Sequence, residues 1–485
     1  MKVKSNSINF SVVDVTALLA INNIEENDVC VVTDENQGGT FIYRSADLAT
    51  NNGGTVFNGW CRQYEGAVNV KWFGAVGDGV TDDATSLQTA IDYAYSLGGS
   101  EVLLGNGNYS ITAPLLVGGS SNVTLRGFSN LESGSSKITC KGTHCFKFKA
   151  DTFSFLSIYN ISFLGERGVT NFADQALGGS WAWSTMQGCY VVNFNIIDLL
   201  LTGVHFLNNN FQNHVAVTLR GGDYTFRDNY FGYDSADATK TNTDSCVAIQ
   251  ASTGVNFDGN YLTSMKTINA PIALLITNSY DIRANNNWID GGYSISLKIE
   301  AGAQRVVCKH NRIAIVYPAT CIPVALSNVR DVDVSENIIS GLLASANFLS
   351  LESTLKRCIV VDNICNSWTY DTIHGYANAS QTTDVYIKGN GLDLINSSTN
   401  MDVSPTHFTK TITNTGATTL IFVYVTNAMF KAGNYFIFKR TNTAQRVLIY
   451  NATTATTIYD SNTHLFNRCR IISYSDGSCV MEEAM

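Results

Sequence analysis

Residues 285–313 read NNNWIDGGYSISLKIEAGAQRVVCKHNRI. Two runs, SISLKIEA and VVCKH, alternate apolar and polar side chains with the two-residue period of a half-buried strand. Gly and Asn punctuate them, and Asn287 and Asn311 occupy matching turns. The same turn recurs as LNNNF, RDNYF, DGNYL, SENII, VDNIC and KGNGL, which puts Asn209, Asn229, Asn260, Asn337, Asn363 and Asn390 in the same register. The last five intervals are 27, 24, 26, 26 and 27 residues. A period in the twenties is what a stacked coil requires, because each turn of chain must return over its predecessor. The fold class expected is all-β, a right-handed parallel β-helix. Asn suits the inner corner because it tolerates left-handed backbone and its amide can bond to the equivalent amide one coil away.

In each period a first strand precedes the Asn turn by about ten residues: VAVTLRG, VAIQAS, IALLITN, SISLKIEA, PVALSN, FLSLES and TIHGYA. Alternation along these strands turns Arg220, Gln250, Lys298, Glu300, Ser327, Glu352 and His374 outward as a polar column. Residues 1–66 alternate short apolar runs with Gly and Asn turns and read as a small β-rich neck. The repeat spans residues 67–402. Beyond it TKTITNTGATTLIFVYVT, NYFIFKRTN and QRVLIYNAT predict a β-sandwich over residues 403–485, for trimerisation or glycan binding.

The repeat opens with VKWFGAVGDGVTDDATSLQTAID, residues 70–92, followed by GNYSI. Gly77, Asp78 and Gly79 form a turn, residues 81–83 supply oxygens to cap a helix near 82–96, and Leu87, Ala90, Ile91 and Ala94 make its apolar face. Such a helix would cover the open end of a stack. This string resembles the opening signature of the pectate-lyase-like parallel β-helix superfamily in the form seen in bacteriophage tailspikes and capsule depolymerases. The preceding VTDENQGGTFIYRSADLATNNGGTVF and GAVNVKWFGA are similar to the region before that signature in tailspikes. The resemblance covers about the first 120 residues. It implies a homotrimer on a phage tail or baseplate, located in the virion after assembly in a host cytoplasm, with a bacterial capsular or O-antigen polysaccharide as partner. It also makes the acids of residues 77–83 structural. A threefold interface could bury the Phe and Tyr of NYF and NYL.

A net charge of −9 and a pI near 5.3 argue against nucleic acid, which needs a basic stripe. The twelve cysteines include no paired CxxC spacing, so they read as reduced core thiols and not as a zinc site. No apolar run approaches the roughly 18 residues that span a bilayer, and the start lacks a secretory leader, so a soluble protein is expected.

Glycosidic hydrolysis needs two carboxyl groups, one protonated and one ionised. Glu300 and Glu352 fall at one strand position two repeats apart with Ser327 between them, about 10 Å apart at the backbone, and flexible side chains bring such a pair into the inverting range. The bland alternative is that an outward Glu on a solvated strand is ordinary. The loop GYDSADATKTNTDS offers Asp234, Asp237 and Asp244, and the WIDGGYS turn offers Asp290; Asp that merely caps turns is common. Trp181 and Trp183, two residues apart, would present indoles to sugar rings or to a neighbouring subunit. Trp288, Tyr293 and Tyr233 are weaker platforms. Arg220 and Lys298 could hold an acidic sugar. With His374 they could also serve a lyase, as base and as uronate neutraliser. No Ca2+ cluster stands out, and no cofactor is expected. Three readings follow: a tailspike glycosidase, a lyase on the same scaffold, and a non-catalytic adhesin.

Overall fold

The computed structural model describes residues 10–128, 135–150, 152–166, 169–175, 178–214, 216–233, 245–264, 272–317, 321–341 and 349–365, and beyond them the backbone of short strands. It divides into two units, Met1–Asp237 with Gly254–Asn256, and Ala238–Thr253 with Phe257–Met485. Both are built of the same element: a right-handed β-helical coil whose strands pair in parallel with those of the next coil.

The first unit begins with a five-stranded sheet in the order Phe10–Val12, Val29–Val32, Gly39–Tyr43, Trp60–Arg62, Val56–Phe57. It closes over its own core of Leu18, Cys30, Val32, Phe41, Phe57 and Trp60. The helix predicted after it runs Ala84–Ser96, with Leu87, Ala90, Ile91 and Ala94 fully buried. Its acids are consumed by backbone, as expected, although with different roles. Asp82, one residue before the N-cap, accepts from the Ala84 amide at 3.1 Å and also from the Thr112 amide and hydroxyl. Asp83 is turned away and accepts from the Val76 and Gly77 amides at 2.7 and 3.1 Å, pinning the Gly77 turn. Burial pushes its carboxyl above the ordinary aspartate range.

The Asn turns form amide ladders. In the second unit the Nδ2 of Asn260, Asn287, Asn311 and Asn337 donates to the Oδ1 of Asn287, Asn311, Asn337 and Asn363 at 2.7–3.1 Å. The same Oδ1 accepts the backbone N–H of the preceding Asn at 2.8–3.1 Å. The first unit holds the rung Asn209 to Asn229, and there the ladder starts on Cys189, whose N–H donates to Asn209 Oδ1 at 2.9 Å. Asn390 lies outside the described residues. One detail differs from the sequence reading: the left-handed residue is not the ladder Asn but the one before it. Asn208, Asp228, Gly259, Asn286, His310, Glu336 and Asp362 all have φ between 53° and 66°. The corner thus divides its work. One residue takes the backbone cost with its side chain outside, and the next inserts an amide that pairs buried backbone groups which would otherwise lack partners.

A second left-handed column in that unit alternates in charge: Asp281, Arg305, Asp331 and Arg357, with φ 50–57°. Arg305 Nη2 donates to Asp281 at 2.8 Å and Arg357 Nη2 to Asp331 at 2.7 Å, each across one coil. These guanidinium bonds hold both aspartates below their ordinary range. A depressed carboxylate stabilises the fold above the unfolded value and loses that contribution as pH falls through the folded one. Arg357→Gln should therefore lower Tm modestly at pH 7 and leave it indistinguishable from the parent near pH 2, by circular dichroism melts.

Among the described residues nine cysteines are free, and all but Cys61 are buried. No helix among them is long and apolar enough to cross a membrane. Toward the end of the second unit the backbone traces two sheets, of five strands from Leu394–Ser397 to Cys479–Glu483 and of four strands. Both start with parallel pairs and finish antiparallel.

Candidate functional site

Two outward faces of the second unit carry chemistry. The first lies on the strands Ile272–Thr277, Ile295–Glu300, Ile322–Ser335 and Leu349–Val361. The pairings set Gln250, Thr277, Glu300, Ser327 and Glu352 in one register, coil on coil. Glu300 and Glu352 therefore stand two coils apart with a small residue between them, a backbone separation of about 10 Å. Lys298, two residues from Glu300 on the same face, donates its Nζ to the Glu300 carboxylate at 2.7 Å, and both side chains are half-buried. His374 belongs by backbone register to the neighbouring column of Lys298, Ala325 and Ser350, and not to the Glu column. Arg220, in the first unit, is already matched to Asp198 at 2.9 Å. Gln250 is exposed.

The second face follows the ladder turn, on Tyr261–Ser264, Trp288–Gly292 and Arg312–Tyr317. Tyr261, Trp288 and Arg312 occupy one register across three coils. Trp288 is 43% exposed. The Tyr261 ring meets its indole edge-on at 5.4 Å, and the Arg312 guanidinium lies 4.6 Å from the indole centroid. Asp290, the next outward residue, accepts the Tyr261 hydroxyl at 3.0 Å. It is a strand residue and not the turn residue expected, since Gly291 and Gly292 still pair with the next coil. An aromatic face, a guanidinium and a carboxylate are thus gathered on one patch.

Several expectations need correction. Trp181 is no platform: it is 1% exposed, packs against Phe148 and Phe206, and donates its Nε1–H to the Leu156 carbonyl at 2.8 Å. Trp183 does not share its side of the strand, because the strand Ser180–Ala182 ends first and Trp183 turns left-handed with φ 46°. Its indole, 59% exposed, lies over Gly203, where a Cβ would collide with it. Tyr293 follows the glycine pair into the core and is buried. Phe231 of NYF likewise faces inward, stacked on Phe211 at 5.0 Å, so only the Tyr of that motif is on the outer face. Asp234, Asp237 and Asp244 lie outside the described residues. Among the described residues no group of three His, Cys, Asp or Glu side chains could hold a metal ion.

Arg312 escaped the sequence reading and Tyr261 was read only as an interface residue, although a signal for both existed. The residue directly after each ladder Asn points outward, and NYL, NWI and NRI spell Tyr, Trp, Arg at that position in successive coils.

With the coil on the page, comparison with known proteins is direct. Residues 67–270 match the family model for rhamnogalacturonase A/epimerase, pectate lyase-like. The chain carries a parallel β-helix, and residues 67–270 of it are what resembles that family. Tailspike protein 2 from Escherichia coli O157:H7 bacteriophage CAB120 is similar in fold, with TM-score 0.52 and 14% identity over 78% of this chain and 55% of that one. DFA-IIIase from Arthrobacter chlorophenolicus A6 without its lid gives TM-score 0.52 at 12% identity, over 68% and 95%. In sequence, Mannuronan C5-epimerase AlgE4 of Azotobacter vinelandii is 58% identical over 45 residues, 9% of this chain. The chain matches only 8% of that relative's length. The β-helix of this protein is therefore a fold shared with that tailspike protein and with DFA-IIIase, and a shared fold leaves chemistry to the side chains on its outer faces.

Proposed function

We propose that this chain is a bacteriophage tailspike that binds a bacterial capsular or O-antigen polysaccharide and depolymerises it by hydrolysis, with Glu300 and Glu352 as the two carboxyl groups. The single observation that supports this most is their shared register two coils apart across Ser327. A backbone spacing of about 10 Å leaves room for a sugar and a water between two carboxyl groups, the arrangement of an inverting enzyme. Glu300, which already accepts from Lys298, takes the ionised role and activates the water. Glu352 takes the acid role and protonates the leaving oxygen. Both roles use only this chain's side chains.

The resemblance at the start of the β-helix extends the reading to a homotrimer carried in the virion, with residues 1–66 toward the tail and residues 403–485 for trimerisation or glycan binding. A second chemistry has one observation in its favour. Lys298 beside Glu300 is also a cation beside a carboxylate that can accept a proton, and elimination from a uronate needs a base and a cation. The two readings separate on products. Incubation with capsular and O-antigen polysaccharides from a panel of strains should release oligosaccharides of repeat-unit mass with new reducing ends and no new ultraviolet absorbance. An absorbing unsaturated product would make it a lyase; intact polymer across a broad panel would leave a binding spike.

A further inference from the structure

We propose that the face bearing Tyr261, Trp288, Asp290 and Arg312 is a second, non-catalytic polysaccharide site that grips an acidic sugar, with Trp288 as platform and Arg312 as carboxylate clamp. The inference rests on the polysaccharide reading above and adds a place and a ligand class to it. The site lies on a different sheet from Glu300, beyond the bend at residues 293–294.

Three observations carry it. Arg312 is exposed, and its guanidinium is held against an aromatic face. Among the described residues no carboxylate pairs with it, whereas Arg220, Arg305 and Arg357 are each matched to an aspartate one coil away. A guanidinium keeps its fork of donors when it stacks, so Arg312 remains ready for a bidentate carboxylate. Trp288 is the second. A large indole left 43% exposed on a flat strand face offers the apolar surface that the C–H face of a pyranose covers. The third is the spacing of charge. Asp290 is two residues along the strand from Trp288, carries the Tyr261 hydroxyl on one oxygen, and pairs in register with Ala314. It stands on the side of the patch where neutral hydroxyls can donate to its other oxygen, while the sugar's carboxylate is drawn to the Arg312 side. Because each coil adds about 4.8 Å, these groups span roughly one to two sugar residues along the stack.

Retention of the full chain in gels containing alginate, polygalacturonate or hyaluronate, with dextran as neutral control, tests this. At least one acidic polymer should retard the parent, and added salt should weaken the effect. Arg312→Gln should weaken retention by that polymer about tenfold or more, and Trp288→Ala similarly. Glu300→Gln should still be retained. Unchanged retention in either Arg312→Gln or Trp288→Ala, or a parent retarded by none of the acidic polymers, would overturn the proposal. Cleavage measured on the same variants keeps the two readings apart: Glu300→Gln that still cuts sinks the catalytic pair only, and Arg312→Gln that still binds sinks this site only.

Discussion

Glu300→Gln and Glu352→Gln should each slow release of reducing ends from a susceptible polysaccharide by about 10²–10⁴-fold, with the fold unchanged. The amide preserves shape and hydrogen bonding while removing the ability to exchange a proton. Acid and base act in one step, so the double variant should be little worse than either single one. Lys298→Met separates hydrolysis from elimination. In the hydrolytic reading it removes a positioning partner of Glu300, held at 2.7 Å, and lowers the rate without changing the product. In the elimination reading it removes the cation that neutralises the uronate, and an ultraviolet-absorbing product disappears with it. Full activity in either carboxamide variant would rule the pair out.

Asn311→Ala should cost about 3–5 kcal/mol of stability. Asn311 is 4% exposed and makes four bonds of 2.9 Å: its Nδ2 donates to the Ala284 carbonyl and to Asn337 Oδ1, and its Oδ1 accepts from Asn287 N and Asn287 Nδ2. Alanine leaves those buried partners without the amide that joins them, so several penalties of about 1–3 kcal/mol overlap. Denaturant unfolding followed by fluorescence measures the loss. The neighbouring His310→Asn is the control: its φ of 56° suits Asn, its side chain is outside, and only the exposed contact with Glu336 is lost. A change within about 0.5 kcal/mol is expected there. If Asn311→Ala were as mild as its neighbour, the ladder would be decoration.

The coil itself was legible because two constraints are written locally: strand alternation and an amide that must recur where the chain turns inward. Those constraints sufficed to align Glu300, Ser327 and Glu352, since the first strand keeps an offset of ten or eleven residues from each Asn. They did not suffice where the strand stops. Trp181 and Trp183 look equivalent by spacing, yet the break at Ala182 sends one into the core and the other over a glycine. Nor could the sequence say which corner residue is left-handed, because Asn, Asp, Gly, His and Glu all fill that position and only Gly and Asn advertise it. The Tyr261, Trp288 and Arg312 patch was legible only in part, for a third reason. Its members are 24 and 27 residues apart, as are the amides beside them, and nothing local links them until the register is known.

The amide ladder joins residues separated by 20 positions in the first unit and by 24 to 27 in the second, yet its bond lengths hardly vary. It acts as a ruler of height that is blind to the length of chain between its marks. A lineage can therefore lengthen or shorten the loop of any one coil, reshaping what its flank recognises, without renegotiating the interior. Outer-surface shape and folding become separable targets of selection, each with its own set of positions.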